Sequence, residues 1–312
     1  MPHLKTAAII GAGVTAVLTP LAAAPPSPFV IHEDLPRWSV RNGITFALQP
    51  DSLRRGFGAP RGLFRIGRIL RTGDKEPELL NFVAVEPVTM DGRRGFSELE
   101  NSPSDGKQGI IFRCERVVET RDTLRLTIRG ERFANGAHPW FVVELNARRP
   151  DEVRFDVFSE PDSEPMKMCI LTATMGNYQR LRVLQLKNRK VTTAEALPED
   201  PGDGFTRHAV FPLKDLKRDK TGAIVTAKSD EKDSRIASGT MPKGFFWAYT
   251  GLNFTQYWRQ PEPVDPDLRA VVNARKVYWG GQYPIPGGKA FENFELNAGF
   301  HEGQVFVFGA RK

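Results

Sequence analysis

Glu98 and Glu100 stand two residues apart in the segment GFSELEN. On an extended chain, positions i and i+2 point to one face. Two carboxylates projecting together are what hydrolysis of a glycosidic bond requires, one to protonate the leaving oxygen and one to act as nucleophile or base. Arg93 and Arg94 lie close by in sequence and could pair with them instead. A second carboxylate pair depends on register. Residues 140–144 and 153–158 alternate apolar and polar and read as a hairpin closing around 148–152. If positions summing to 300 pair, Glu144 faces Asp156. Like charges directly opposite destabilise a plain sheet, so that register would mark a proton-sharing or cation-binding site. If positions summing to 298 pair, Glu144 faces Arg154 in an ordinary ion pair. Both registers match apolar to apolar on the other face, and the ion pair is favoured.

His138 precedes Pro139-Trp140 at a turn entering a strand, where a neutral imidazole could act as a base. Polysaccharide lyases set a Tyr or His base beside Arg or Asn groups that neutralise a uronate. The segments NYQR, with Tyr178 and Arg180, and QYWR, with Tyr257, Trp258 and Arg259, offer residue types for such duties. Aromatic residues concentrate toward the C-terminus: Trp247, Tyr249, Tyr257, Trp258, Tyr278, Trp279 and Tyr283. Rings with polar tips suit sites with one apolar face and one wet edge. Sugar rings are commonly held that way, and Trp279 joins Tyr257 and Trp258 as a candidate platform.

The acidic alternation at 98–100 resembles the E-x-D-x-x-E strand of laminarinase-like sandwich hydrolases. The likeness covers a few residues, with Leu99 where the central Asp would be and no later Glu. His138-Pro139-Trp140 resembles the aldose-epimerase group over three residues. Neither assigns a family. No phosphate-binding glycine loop, G-x-S-x-G elbow, H-E-x-x-H or EF-hand loop occurs. Two cysteines without nearby histidines do not make a zinc site. No metal or cofactor is expected.

The elements that must position these residues are short strands. Period-2 alternation recurs at 124–129, 140–145 and 153–157. Further strands are expected at 44–49, 63–70, 79–88, 109–119, 168–174, 179–187, 208–213, 223–227, 245–249, 268–279, 290–296 and 304–309. Asp91-Gly92, Asp105-Gly106, Asn135-Gly136, Arg149-Pro150-Asp151 and Pro286-Gly287-Gly288 separate them as turns. Helices are confined to short pieces, around 213–217 and, if it is not strand, 266–274. Segments 198–204 and 229–244 combine charge, Gly and Pro and read as long surface loops.

Residues 6–24 are uncharged and follow Lys5, ending in Ala22-Ala23-Ala24. That layout is a secretory leader, although Pro25 makes cleavage there awkward. Pro20, Gly11 and Gly13 interrupt the run, so no transmembrane span is expected in the mature chain. In an oxidising compartment Cys114 and Cys169 could pair, or each could be a small buried hydrophobe.

The formal charge of +7 favours anionic partners. For an exported protein a glycan is a better expectation than nucleic acid. The reading is therefore a leader over 1–24 and one all-β antiparallel sandwich over 25–312, jelly-roll or concanavalin-like, with a larger supersandwich as the alternative. It would be a periplasmic or secreted carbohydrate-active protein, hydrolase or lyase, with a non-catalytic glycan-binding or envelope protein as the alternative. The hydrolase form requires Glu98, Glu100, Glu144 and Asp156 to converge. The lyase form requires His138 to join Tyr178 and Arg180.

Overall fold

The structure is a computed structural model that describes residues 26–49, 61–69, 76–230, 253–278 and 283–312. The expected leader, the strand at 245–249, Trp279 and most of the loop at 229–244 lie outside the described residues. In chain order the strands begin with β1 (Phe29–Ile31), β2 (Arg37–Val40), β3 (Ile44–Ala47), β4 (Leu63–Arg68) and β5 (Glu78–Thr89). Next come β6 (Phe112–Glu119), β7 (Thr123–Gly130), β8 (Pro139–Asn146), β9 (Arg149–Ser159) and β10 (Met166–Thr174). After them are β11 (Leu181–Gln185), β12 (Lys190–Thr192), β13 (Ala209–Pro212), β14 (Lys217–Asp219) and β15 (Gly222–Ser229). The last are β16 (Thr255–Gln260), β17 (Arg269–Arg275), β18 (Ala290–Asn297) and β19 (Gln304–Arg311). Described helix is limited to α1 (Thr193–Ala196) and two 3-10 turns, Gly176–Gln179 and Leu213–Asp215. None of it is long and apolar enough to cross a membrane.

Two large antiparallel sheets result, neither of them closed. A nine-stranded sheet runs β1-β2-β3-β4-β5-β10-β18-β17-β13, and a ten-stranded sheet includes β12-β11-β15-β16-β19-β9-β8-β7-β6. One hydrophobic core draws on both. Alternation sends Phe46, Phe64, Val83, Val85, Leu171 and Phe294 inward from the first sheet, and Leu126, Phe141, Phe155, Trp258 and Phe308 from the second. Phe64 meets Phe141 at 5.5 Å and Phe155 at 5.9 Å between ring centres, tying β4 to β8 and β9. Each such ring contributes roughly 1.5–3 kcal/mol by leaving water. The polar atoms carried inward are bonded across the gap. Trp258 Nε1 donates to the Phe294 carbonyl at 2.8 Å, and Asn81 donates to Gln256 at 2.7 Å.

The β8–β9 hairpin adopts the register that sums to 298. Glu144 faces Arg154, and Asp156 faces Val142. One expectation is overturned nearby: 98–100 is a turn rather than a strand, so Glu98 and Glu100 do not share a strand face. The cause lies in what precedes them. After the Asp91-Gly92 turn, residues 93–97 double back along the end of β5, with Gly95 N bonded to Pro87 O and Ser97 N to Val85 O. There Glu100 folds back to accept from Phe96 N at 3.0 Å and Ala134 N at 2.8 Å. Cys114 on β6 and Cys169 on β10 sit on different sheets and are both free, Cys169 deep in the core.

Candidate functional site: a buried acidic cluster on the nine-stranded sheet

The face of the nine-stranded sheet that points away from the core carries a buried ionisable cluster. Outward positions on β5, β10 and β18 are set by the same alternation that sends Val85, Leu171 and Phe294 inward. Glu86 faces outward from β5 opposite Ile170, and Glu295 from β18 opposite Thr172. The two glutamates thus flank β10. Arg94 reaches both from the doubled-back segment. Its Nε donates to Glu86 Oε2 at 2.6 Å, and its Nη2 lies 3.9 Å from Glu295 Oε1. Glu86 is 3% exposed and Glu295 1%, whereas Arg94 and Glu98 are half-buried.

Further along β18, Glu292 accepts from the Asn177 amide and feels the charge of Arg275 on β17. Asn177 is delivered by the wholly buried 3-10 turn Gly176–Gln179. Met175 and Arg180, at its two ends, have φ of 66° and 50°, a left-handed backbone that side chains other than Gly seldom adopt. Such a conformation costs on the order of 1–3 kcal/mol and concentrates at functional sites. Arg275 in turn donates to Asp203 O at 2.8 Å and sits over the Phe205 ring. Residues 198–208 therefore cover that end of the face.

Burial governs the protonation of Glu86, Glu292 and Glu98. The Glu86 carboxyl is pushed up to about 8, chiefly by loss of water and further by Glu295 and Glu98, against the pull of Arg94. Glu292 rises to about 7, again through burial and Glu98, with Arg275 and Asn177 opposing. Glu98 is raised as well, mainly by burial. Near neutral pH, Glu86 consequently holds a proton among carboxylates and one guanidinium, the arrangement from which a general acid works. Thr172 Oγ1, Asn177 Oδ1 and Glu295 Oε2 are buried and have no hydrogen-bond partner among the described residues. Three acceptor-capable groups are thus left open around the acids.

A cleft of about 540 Å³ opens on the same face, lined by Met168, Val210, Pro212, Arg269 and Asn297 among others. Asn297 joins cleft to cluster, donating to Glu295 Oε1 at 3.0 Å. Among the described residues, no group of three or more His, Cys, Asp or Glu is arranged to hold a metal ion.

The residues singled out from sequence divide. Glu98 belongs to this cluster, while Glu100 holds backbone. Glu144 lies on the other sheet, paired with Arg125 at 2.8 Å. Asp156 lies there too, bonded to Arg154 at 2.8 Å and raised mainly by burial. The four acids do not converge. His138 is held in its turn by Asp162 at 2.7 Å and the Gly130 carbonyl at 3.1 Å. Tyr178 packs with Leu79, Phe82, Ala84 and Met175, and Arg180 donates to Tyr278 OH at 3.3 Å. Those two flank the cluster; His138 does not join them.

The aromatic platform is likewise split. Trp258 is a core residue with no exposed surface, because its position on β16 points between the sheets. Tyr257 and Arg259 point the other way, and both bond Glu152, at 2.9 and 2.6 Å. Arg94 was expected only as a partner of Glu98 and Glu100, and Glu86, Glu292 and Glu295 were not singled out from sequence. Their signal was present in NFVAVEPVT and AFENFELN, strands whose acids interrupt apolar runs and must therefore be buried or specially placed. No protein-family model matches the chain, and no curated protein is significantly similar to it.

Proposed function

We propose that this chain is an exported carbohydrate-active enzyme whose acid–base chemistry resides at Glu86, Glu98, Glu292 and Glu295. The observation that carries the reading is the convergence of buried, proton-holding carboxylates with Arg94 beside an open cleft. Glycosidic hydrolysis needs one carboxyl kept protonated to release the leaving oxygen and a second carboxylate to activate water or attack. Glu86 supplies the held proton. Glu98, the one acid of the four that is not fully buried, is the group positioned to meet substrate. Arg94, bonded to Glu86 and 3.9 Å from Glu295, ties the two acids together. Neither form stands on the residues first expected to carry it, since Glu98, Glu100, Glu144 and Asp156 do not converge and His138 stands apart from Tyr178 and Arg180. The hydrolase form rests instead on the different set Glu86, Glu98, Glu292 and Glu295.

Nine strands against ten, sharing one core, favour a large sandwich of the supersandwich kind over an eight-stranded jelly roll. Export rests on the leader-like residues 1–24. The test is a screen of purified protein against neutral and acidic polysaccharides. New reducing ends, lost in Glu98→Gln, are the expected result. Unsaturated uronate absorbance would instead indicate a lyase, and binding with neither product would leave a glycan-binding protein.

A further inference from the structure

The outward face of the ten-stranded sheet presents a regular charge pattern that the acidic cluster does not use. Register places Lys217, Ile224, Arg259, Val307, Arg154, Glu144 and Arg125 in one cross-strand row. Cations therefore recur on every second strand, β14, β16, β9 and β7, and three of them already stand beside an acid: the buried Arg259 with Glu152, Arg154 with Asp156 and Arg125 with Glu144. Neighbouring strands lie 4.7–4.9 Å apart, so the cations repeat at about 10 Å over roughly 30 Å. Two clefts lie along the row. One, of about 510 Å³, is lined by five cations (Arg148, Arg149, Arg154, Lys220, Arg259) and three acids. The other, of about 450 Å³, has four cations (Lys187, Lys217, Arg218, Arg311) and one acid.

Between the clefts the floor is fixed. Glu152 is held by both Tyr257 and Arg259. The Tyr257 ring lies across Gly309, where a Cβ would come within 2.1 Å of it. Arg311 covers the ring from 5.6 Å. A smaller residue than Gly does not exist, so the strand passes beneath the ring only because position 309 has no side chain.

We infer that this face binds an extended acidic polysaccharide, one with a carboxylate or sulfate on alternate sugar rings, laid across the strands. The charge spacing carries the choice of ligand. A nucleic-acid strand sets phosphates at every nucleotide, about 3.4 Å apart along a duplex strand, far more closely than the cations repeat. A polymer charged at alternate units can place its anions at the cations and its neutral rings over Ile224, Val307 and Glu144. Single-stranded nucleic acids also rely on rings free to stack bases, and Tyr257 is buried and capped by Arg311. The surface lies on the opposite sheet from the acidic cluster and does not depend on that cluster being catalytic.

Hyaluronan, with one carboxylate per disaccharide, is the probe, measured by titration calorimetry at low and raised salt. Dextran, double-stranded DNA and phosphatidylglycerol vesicles serve as comparison arms. Hyaluronan is expected to bind, more weakly as salt rises. The exposed-lysine variant Lys217→Gln/Lys220→Gln should bind about tenfold more weakly, and Arg154→Gln should weaken binding as well. Glu144→Gln should strengthen binding a few-fold by removing the interposed negative charge. Glu98→Gln should bind as the parent does, which separates this surface from the acidic cluster. Equal binding of dextran, tighter binding of DNA or vesicles, no binding of hyaluronan, or unchanged affinity in the lysine variant would each overturn the inference.

Discussion

The two outward faces of this molecule are built by the same strand alternation and end with opposite electrostatics. On the ten-stranded sheet, charges stand in partly open cross-strand pairs: Glu144 has Arg125 and Arg154 as neighbours, and Arg125 keeps 59% of its side chain exposed. On the nine-stranded sheet, Glu86, Glu292 and Glu295 are at most 3% exposed and share Arg94, Arg275 and the Asn177 amide. What separates the faces is cover. Residues 93–100, the strained turn at 176–179 and residues 198–208 lie over the acids and remove water from them. An ion pair in water contributes little, whereas a carboxyl without water changes its protonation.

The sharpest way to break this contrast is to exchange single acids between the faces. Glu86→Gln is expected to lower glycan-cleaving activity by about 10²–10⁴-fold, the range for losing a general acid, and to remove an alkaline limb near pH 8 from the rate profile. Glu144→Gln should leave that activity within about twofold. An initial-rate series over pH decides between them, and equal losses in the two variants would refute the assignment.

The next largest effect concerns the cover itself. Gly62 has φ of +79°, and a Cβ there would lie 1.8 Å from Ser97 O, beneath the turn that carries Glu98. Gly62→Ala should therefore cost several kcal/mol in denaturant unfolding and displace Glu98. A variant with native stability would show that the turn is not pinned from below.

A third expectation concerns stability against pH. Glu86 and Glu292 have folded values of about 8 and about 7, above their unfolded values near 4.5. The folded state therefore binds extra protons. The resulting stabilisation is full below about pH 4.5 and is lost as pH rises through 7 and 8. Unfolding free energy should fall by a few kcal/mol across that window from these groups, and Glu86→Gln/Glu292→Gln should flatten the slope. A slope unchanged in the double variant would refute the buried-proton description.

The smallest effect is on the open face. A double-mutant cycle on Arg125 and Glu144 should return about 0.2–1 kcal/mol, falling with salt. A coupling of several kcal/mol would mean that this face is not governed by solvent as described.

Much of this molecule could be read locally. Alternation in TLRLTIR and WFVVEL marks strands that the structure contains, and ion pairing alone favoured the Glu144–Arg154 register, since apolar residues match in both. Turn residues such as Asp91-Gly92 and Asn135-Gly136 stand where chain reversals occur. Two further local signals are present. β16 alternates about Tyr257 and Arg259 but was not expected as a strand, and Thr192 with Glu195 forms the capping box that starts α1.

The acidic cluster is of another kind. Local pattern establishes that Glu86, Glu292 and Glu295 interrupt apolar strands, because alternation depends on backbone geometry two residues at a time. It does not establish that β5 and β18, about 200 residues apart, flank β10, nor that a turn held by Gly62 brings Glu98 over them. Those depend on pairing between distant strands and on which loops exclude water. Water exclusion, in turn, is what makes an ordinary glutamate hold its proton.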